Sequence, residues 1–325
     1  MNMPKKPKPF LTIRAQIKKL QSDGLIIDSY SKAELVLSNH SYYAFVNGYR
    51  DIFLDPNSQK TRYRPGAHFD DLVALYDFNL ALRDALFPAV LYAEDKLKSH
   101  IIYEFGNAKD SSGRRMHSAD DYLDRASYDK KASGAEQLVK ELSGLINNAI
   151  KHCEEPFCHA LESYGYIPLW VTALNMTFGQ TSRFYMCLAR PIKNAIAARA
   201  KVSQGDYQTT LKILSIFRNC CAHNGRVYCF APRDRLSKAF LESQGALYIA
   251  PDINQKFATV LLCLKVLLPS SRFKSVMASI DSAIGELLEK LPMDICKKVF
   301  KKMGLTRKAM EYLGVLNVPP VIKKP

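Results

Sequence analysis

Leu72, Leu75, Asn79, Leu82 and Leu86 recur three or four residues apart, the period that lays side chains along one face of an α-helix. Leu211, Leu214, Phe217 and Cys221 repeat the pattern later in the chain, whereas strand signals are few and short. A chain with such stripes has to bury them against other helices, so the expected fold is all-α. With 325 residues and 47% hydrophobic content, there is apolar material for one large or two modest domains.

Taken in order, residues 1–10 form a basic Pro/Lys tail. Thr12 is placed to cap a helix running through Leu20, with Gly24 as its stop. Ser31-x-x-Glu34 reads as a capping box opening a second helix. Two short helices across a tight joint resemble a helix-turn-helix, an arrangement also common in helical domains that never meet DNA. Tyr42, Tyr43, Phe45 and Tyr49 follow, suited either to core packing or to stacking on bases. Asp70 or Asp71 starts the helix of the first stripe, and a further helix is expected from Val90 to Phe105, with Pro88 at the joint. Residues 106–120 form a loop carrying Arg114 and Arg115, and a helix spans Ala135–Cys153. Pro168 opens a helix bearing Trp170, which Thr177-Phe178-Gly179 breaks. Trp170 and Phe178 are expected in the core.

Beyond the second stripe, a helix is expected over Gln255–Leu268. It contains the longest apolar run, Val260–Leu268, which Lys265 interrupts and which is too short to span a bilayer. The last helix is densely basic, with Lys297, Lys298, Lys301 and Lys302 around the apolar line of Ile295, Val299 and Met303. Those lysines are candidate RNA-binding groups, or simply a solvated face. The expected organisation is a tail (1–10), a main helical domain (11–240) and a basic helical C-terminal extension (241–325).

Charge narrows the partners. Forty-six Lys and Arg face 31 Asp and Glu, a net +15, which favours polyanions such as RNA, DNA or an anionic surface. The first residues lack the apolar core of a secretory signal, and eight cysteines without regular spacing read as reduced thiols, so a cytoplasmic protein is expected. His152, Cys153, Cys158 and His159 lie close in sequence, but Pro156 interrupts any shared helix and no second Cys pair supports a zinc site. The expected metal and cofactor content is therefore none. A Gly-rich phosphate loop, a paired-carboxylate site and internal repeats are all missing, against a P-loop enzyme.

The second stripe ends at Arg218-Asn219-Cys220-Cys221-Ala222-His223. Asp206 is placed to cap this helix and Gly225 to stop it. His223 then falls in the last turn, and Arg218 lies roughly 140° round and about 7.5 Å along the axis from it. The two side chains do not share a face. Arg with His, and no carboxylate between them, suits RNA cleavage. The RNA carries its own nucleophile, the 2′-OH. Histidine can move protons near neutrality, and arginine can hold a phosphate. One histidine cannot easily be acid and base in a single step, so a homodimer pooling two motifs is the economical arrangement. On spacing alone, Arg-x4-His is a weak signal, and a capping pair is the bland alternative.

The neighbouring residues sharpen it. Arg-Asn-Cys-Cys-Ala-His-Asn-Gly-Arg-Val-Tyr (218–228) resembles the Arg-Asn-x-x-Ala-His-x-x-Arg signature of the Abi-like proteins, including AbiD and AbiF, of the HEPN superfamily of phage-defence proteins. Ser41 to Tyr49, Phe69 to Arg83 around Leu75-Tyr76-Asp77-Phe78, and Pro168-Leu169-Trp170 with Thr177-Phe178-Gly179 resemble the same family in order. The opening Lys8 to Ile13 fits as well, so the likeness covers roughly residues 8 to 230. It implies a HEPN-type helical bundle with additional N-terminal helices, and a metal-independent endoribonuclease acting in abortive infection. His223 would be the acid/base, Arg218 the phosphate-binding cation and Asn219 the orienting polar group, with Arg226 as a further RNA contact. RNA is the implied substrate, and a small structured RNA a candidate neutralising partner. Two positions depart from the pattern: Asn224 stands where many relatives carry a second His, and Leu174 where many carry an acid. The competing class is a non-catalytic RNA-binding protein whose Arg218 and His223 hold backbone without cutting it.

Overall fold

Thr12 accepts a hydrogen bond from the Ala15 amide at 3.3 Å and opens α1 (Ile13–Ser22), as its spacing predicts. The computed structural model describes residues 9–58, 61–109, 113 and 119–317; the Pro/Lys tail up to residue 8, and Arg114 and Arg115, lie outside them. Gly24, at φ +95°, turns the chain after α1. The cap of α2 (Tyr30–Asn39) is Ser29, which takes the Lys32 amide at 3.3 Å. The expected Ser31/Glu34 box does not form, because Ser31 already lies inside the helix while Ser29 keeps the extended backbone a cap requires. In α3 (Tyr42–Tyr49) the residues Phe45, Val46 and Tyr49 are buried, and Tyr43 is exposed. Most of that aromatic run is therefore core.

The first stripe belongs to α4 (Phe69–Asn107), one helix of 39 residues, roughly 58 Å long. Two helices jointed near Pro88 were expected; Pro88 sits inside a single one. A proline there removes one backbone hydrogen bond and costs about 3 kcal/mol. The carbonyl it strands belongs to Asp84, an exposed position where solvent can take it. Leu82, Leu86, Val90 and Leu97 on either side are at most 1% exposed, and each buried aliphatic side chain contributes about 1.5–3 kcal/mol. Burial wins, and the helix runs through.

After α5 (Ala119–Leu123), α6 (Ala135–Lys151) and α7 (Glu155–Tyr164) comes α8 (Leu169–Asn175), with Pro168 as its cap. The expected break falls between Asn175 and Phe178, and Thr177 has a second role in it. It caps α9 (Phe178–Cys187), its side chain taking the Gln180 amide while Gln180 reaches back to the Thr177 amide. Phe178 is buried as expected, but Trp170 is 48% exposed and Leu174 61%, since α8 turns only Leu169, Thr172 and Ala173 inward. α10 (Arg190–Ala198) leads to α11 (Gln204–Ala222), the motif helix. Its cap is Ser203. Asp206 lies one turn in, accepting from the Ser203 and Ser237 hydroxyls at 2.6 Å each.

The remaining chain forms α12 (Lys238–Ser243), α13 (Ala250–Ile253), α14 (Phe257–Leu267), α15 (Ser270–Lys290), α16 (Met293–Met303) and α17 (Arg307–Leu313). The long apolar run is α14, a buried helix; Lys265, its one cation, has its ammonium 3.9 Å from the centre of the Tyr312 ring. α15 lies along α4 and packs on it more extensively than any other helix. Buried side chains from Ile17 to Val315 form one connected core. The fold is all-α: 17 α-helices and no strand among the described residues, and no helix there is long and apolar enough to cross a membrane.

Candidate functional site

The motif helix ends in a tightly closed turn. His223 donates its amide to the Asn219 carbonyl at 3.0 Å, and Gly225 donates to the Cys220 carbonyl at 2.7 Å, the bonding pattern that caps a helix with a left-handed residue. That residue is Asn224, at φ +56°, and not the glycine that the spacing points to. Asparagine adopts this conformation at modest cost. Gly225 is needed for another reason: a Cβ there would fall 2.6 Å from the Cys220 carbonyl oxygen.

A single face of α4 holds this turn. Asn79, 1% exposed, donates to the Gly225 carbonyl at 3.2 Å and accepts from the Tyr228 amide at 3.3 Å. One turn on, Arg83 donates to the Asn224 side-chain oxygen at 2.7 Å. Further along, the Arg218 guanidinium carbon lies 5.9 Å from the Phe87 ring centre and its Nε lies 3.8 Å from Glu94. As α4 advances from Asn79 to Glu94, its partners retreat from Tyr228 to Arg218, so the two helices run antiparallel.

Glu94 is the deepest charge at the site, its side chain 6% exposed, with Lys98 3.3 Å away on its other oxygen. Burial pushes its carboxyl above the usual range, and Lys98 and Arg218 pull the other way. Arg218 keeps 28% of its side chain in solvent. Its Nε and the facing Glu94 oxygen have no hydrogen-bond partner, so charge alone, at 3.8 Å, joins them. Burial likewise raises the Cys220 thiol and pushes Cys221 up to about 12, which leaves neither a ready nucleophile.

The sequence-derived residues separate into four places. Arg218 leans on α4. His223 and Asn219 are exposed, on a stripe that continues back through Ile216, 50% exposed, to Lys212. Arg226 turns away, its guanidinium donating to the Gly48 carbonyl, which ties α3 to the segment after the motif. On α16, Lys302 pairs with Asp51, Lys298 and Lys301 line the same cleft, and Lys297 is exposed outside it. Of His152, Cys153, Cys158 and His159, the two thiols meet, but no three His, Cys, Asp or Glu side chains among the described residues form a metal-binding group.

Three participants escape a reading by spacing: Asn79, Arg83 and Glu94. Asn79 stands within the leucine stripe, and a polar residue there signals a buried hydrogen-bonding task. Glu94 carries the same signal between the buried Ala93 and Leu97. Nothing local marks Arg83.

The chemistry available is a pair of cations where α4 meets α11, Arg218 and Arg83, near a helix end that presents an imidazole to solvent. No curated protein and no solved structure matches the chain. The family described as Abi-like protein matches residues 35–229. That span takes in α3, the part of α4 that braces the motif, and α11 through its closing turn. The chain belongs to the Abi-like protein family.

Proposed function

We propose that this protein is an endoribonuclease of the HEPN type acting in abortive infection, and that it works as a homodimer pooling two copies of the Arg218/His223 motif. Membership of the Abi-like family supports the abortive-infection role. The observation that carries the chemistry is the separation of the two groups: Arg218 is braced on Glu94 and Phe87, while His223 stands exposed at the helix end. Neither is consumed by a bond that would keep it from a phosphodiester.

In this reading one His223 takes the proton of the RNA 2′-OH as that oxygen attacks phosphorus. The second, from the facing copy, gives a proton to the departing 5′ oxygen. Arg218 balances the charge that builds on the non-bridging oxygens, and Arg83 adds a cation beside the turn. The exposed stripe of Ile216, Asn219 and His223 offers the partner copy one apolar and two polar contacts. Phosphorus exchanges one oxygen for another, so no cofactor is required. Asn219 is the orienting group, and a small structured RNA is a candidate neutralising partner.

The test incubates protein freed of RNA with total RNA in EDTA, wild type beside His223→Ala. Cleavage by the wild type alone, with melting temperatures unchanged, is the expected result. Equal cleavage by both removes His223 from the chemistry. Tight, salt-sensitive RNA binding with no cleavage by either selects the non-catalytic RNA-binding reading instead.

A further inference from the structure

Four lysines from two parts of the chain converge on one cleft. Lys298, Lys301 and Lys302 come from α16 and Lys256 from the start of α14. Their cleft has a volume of about 510 Å³, within the range of small-molecule sites. Asp51 is the one carboxylate in the lining, and Lys302 holds it. No carboxylate among the described residues lies within ion-pair distance of Lys256, Lys298 or Lys301.

The helix dipole accounts for part of this. Lys301 and Lys302 sit in the last turn of α16, where a helix end favours cations. Lys298 lies a turn earlier, and Lys256 is at the start of its own helix, where the dipole opposes it. The approach of Lys256 is built in: Gly304, at φ +75°, closes α16 so tightly that an added Cβ would lie 2.7 Å from the Asp252 carbonyl and 3.1 Å from the Lys256 side chain. Only glycine lets the end of α16 rest against Lys256. Lys297 and Lys308 are exposed as well, yet neither lines this cleft.

The rest of the lining, Ile52, Leu54 and Pro56, is apolar. Crowded ammonium groups beside an apolar lining fit a ligand with phosphate at one end and an uncharged body at the other. We propose that this cleft binds a nucleoside phosphate, with the lysines on the phosphate oxygens and the Ile52–Pro56 wall against the base and sugar. A free nucleotide and a nucleotide within an RNA strand share that chemistry. The cleft also neighbours the motif: α16 packs on the Val227–Cys229 turn, and Asp51 follows closely on Gly48, whose carbonyl Arg226 holds.

The test measures binding on a His223→Ala background, so cleavage does not enter and a failure of the nuclease reading leaves this result interpretable. The probes are AMP and ATP by calorimetry, and a fluorescein-labelled single-stranded RNA by anisotropy. Lys298→Glu with Lys301→Glu should weaken binding about tenfold or more. Lys297→Glu with Lys308→Glu makes the same charge change outside the cleft and should weaken it no more than about threefold. Loss confined to the mononucleotides identifies a free nucleotide as the ligand; loss confined to the RNA, or seen with both, identifies a strand that threads the cleft. Equal weakening by the two pairs, or no saturable binding of any probe, overturns the proposal. Circular dichroism of both variants checks that the exposed substitutions leave the helices intact.

Discussion

Arg218 and Glu94 face each other across α11 and α4 at 3.8 Å, the carboxylate buried and the guanidinium part in solvent. The acid that braces the arginine is 124 positions away in the chain, on the helix that also cradles the motif's closing turn.

The burial of that carboxylate gives stability a pH signature. Burial outweighs Lys98 and Arg218 and raises the Glu94 pKa, so the folded protein holds this proton more tightly than the unfolded chain does. The stabilising contribution is complete below the unfolded carboxyl pKa and is lost as pH rises through the folded one. Glu94→Gln lacks the dependence, so its melting temperature minus that of the wild type should increase from about pH 4 to about pH 8. A difference that falls over the same range would show the two ion pairs outweighing burial.

The turn after the motif should rank two substitutions unambiguously. Gly225→Ala forces a Cβ against the Cys220 carbonyl and should cost about 1–3 kcal/mol. Asn224→Gly relieves a left-handed backbone but gives up the hydrogen bond from Arg83; two opposed contributions of about 1 kcal/mol each nearly cancel. Denaturant midpoints of the two variants measure the order, and a milder effect at Gly225 would contradict it.

Asn79 joins α4 to both sides of that turn while 1% exposed. Asn79→Leu fills the volume but strands the Gly225 carbonyl and the Tyr228 amide, at about 1–3 kcal/mol for each buried group left unpaired. The variant should lose stability despite its greater hydrophobicity, and hydrogen exchange at the Tyr228 amide should accelerate. Unchanged exchange there would mean the amide does not depend on Asn79.

The thiols should sort by depth. All eight are free; Cys153 is exposed, whereas Cys221 and Cys263 are buried, and burial pushes both of those up to about 12. Alkylation of the native protein near neutral pH should mark Cys153 first and spare Cys221 and Cys263 until the chain unfolds. Mass spectrometry of the digested protein reads the order, and early labelling of Cys221 would mean that the motif helix opens locally.

What could be read from sequence was what depends on near neighbours. The stripes of α4 and α11 follow from apolar spacing, and Thr12 caps α1 because a hydroxyl three residues before an amide is a local arrangement. The misplacements share one cause, the rest of the molecule. Pro88 failed to divide α4 because α15 and α11 bury the helix on both sides of it. Trp170 faces solvent because α8 has only one short inward face. At the site, Arg218, Asn219 and His223 stood out as a motif, yet Glu94 and Arg83 could not be assigned to it, since only antiparallel packing of α4 on α11 brings them there.

That packing makes α4 a ruler for the motif. Asn79, Arg83, Phe87 and Glu94 all sit on one rigid rod, so their reach to the turn and to Arg218 is set by residue count alone. Adding or deleting one residue between Arg83 and Glu94 would rotate one half of the contacts away from the other by about 100°. Length changes should therefore be tolerated in the loops of this protein and forbidden within that eleven-residue interval.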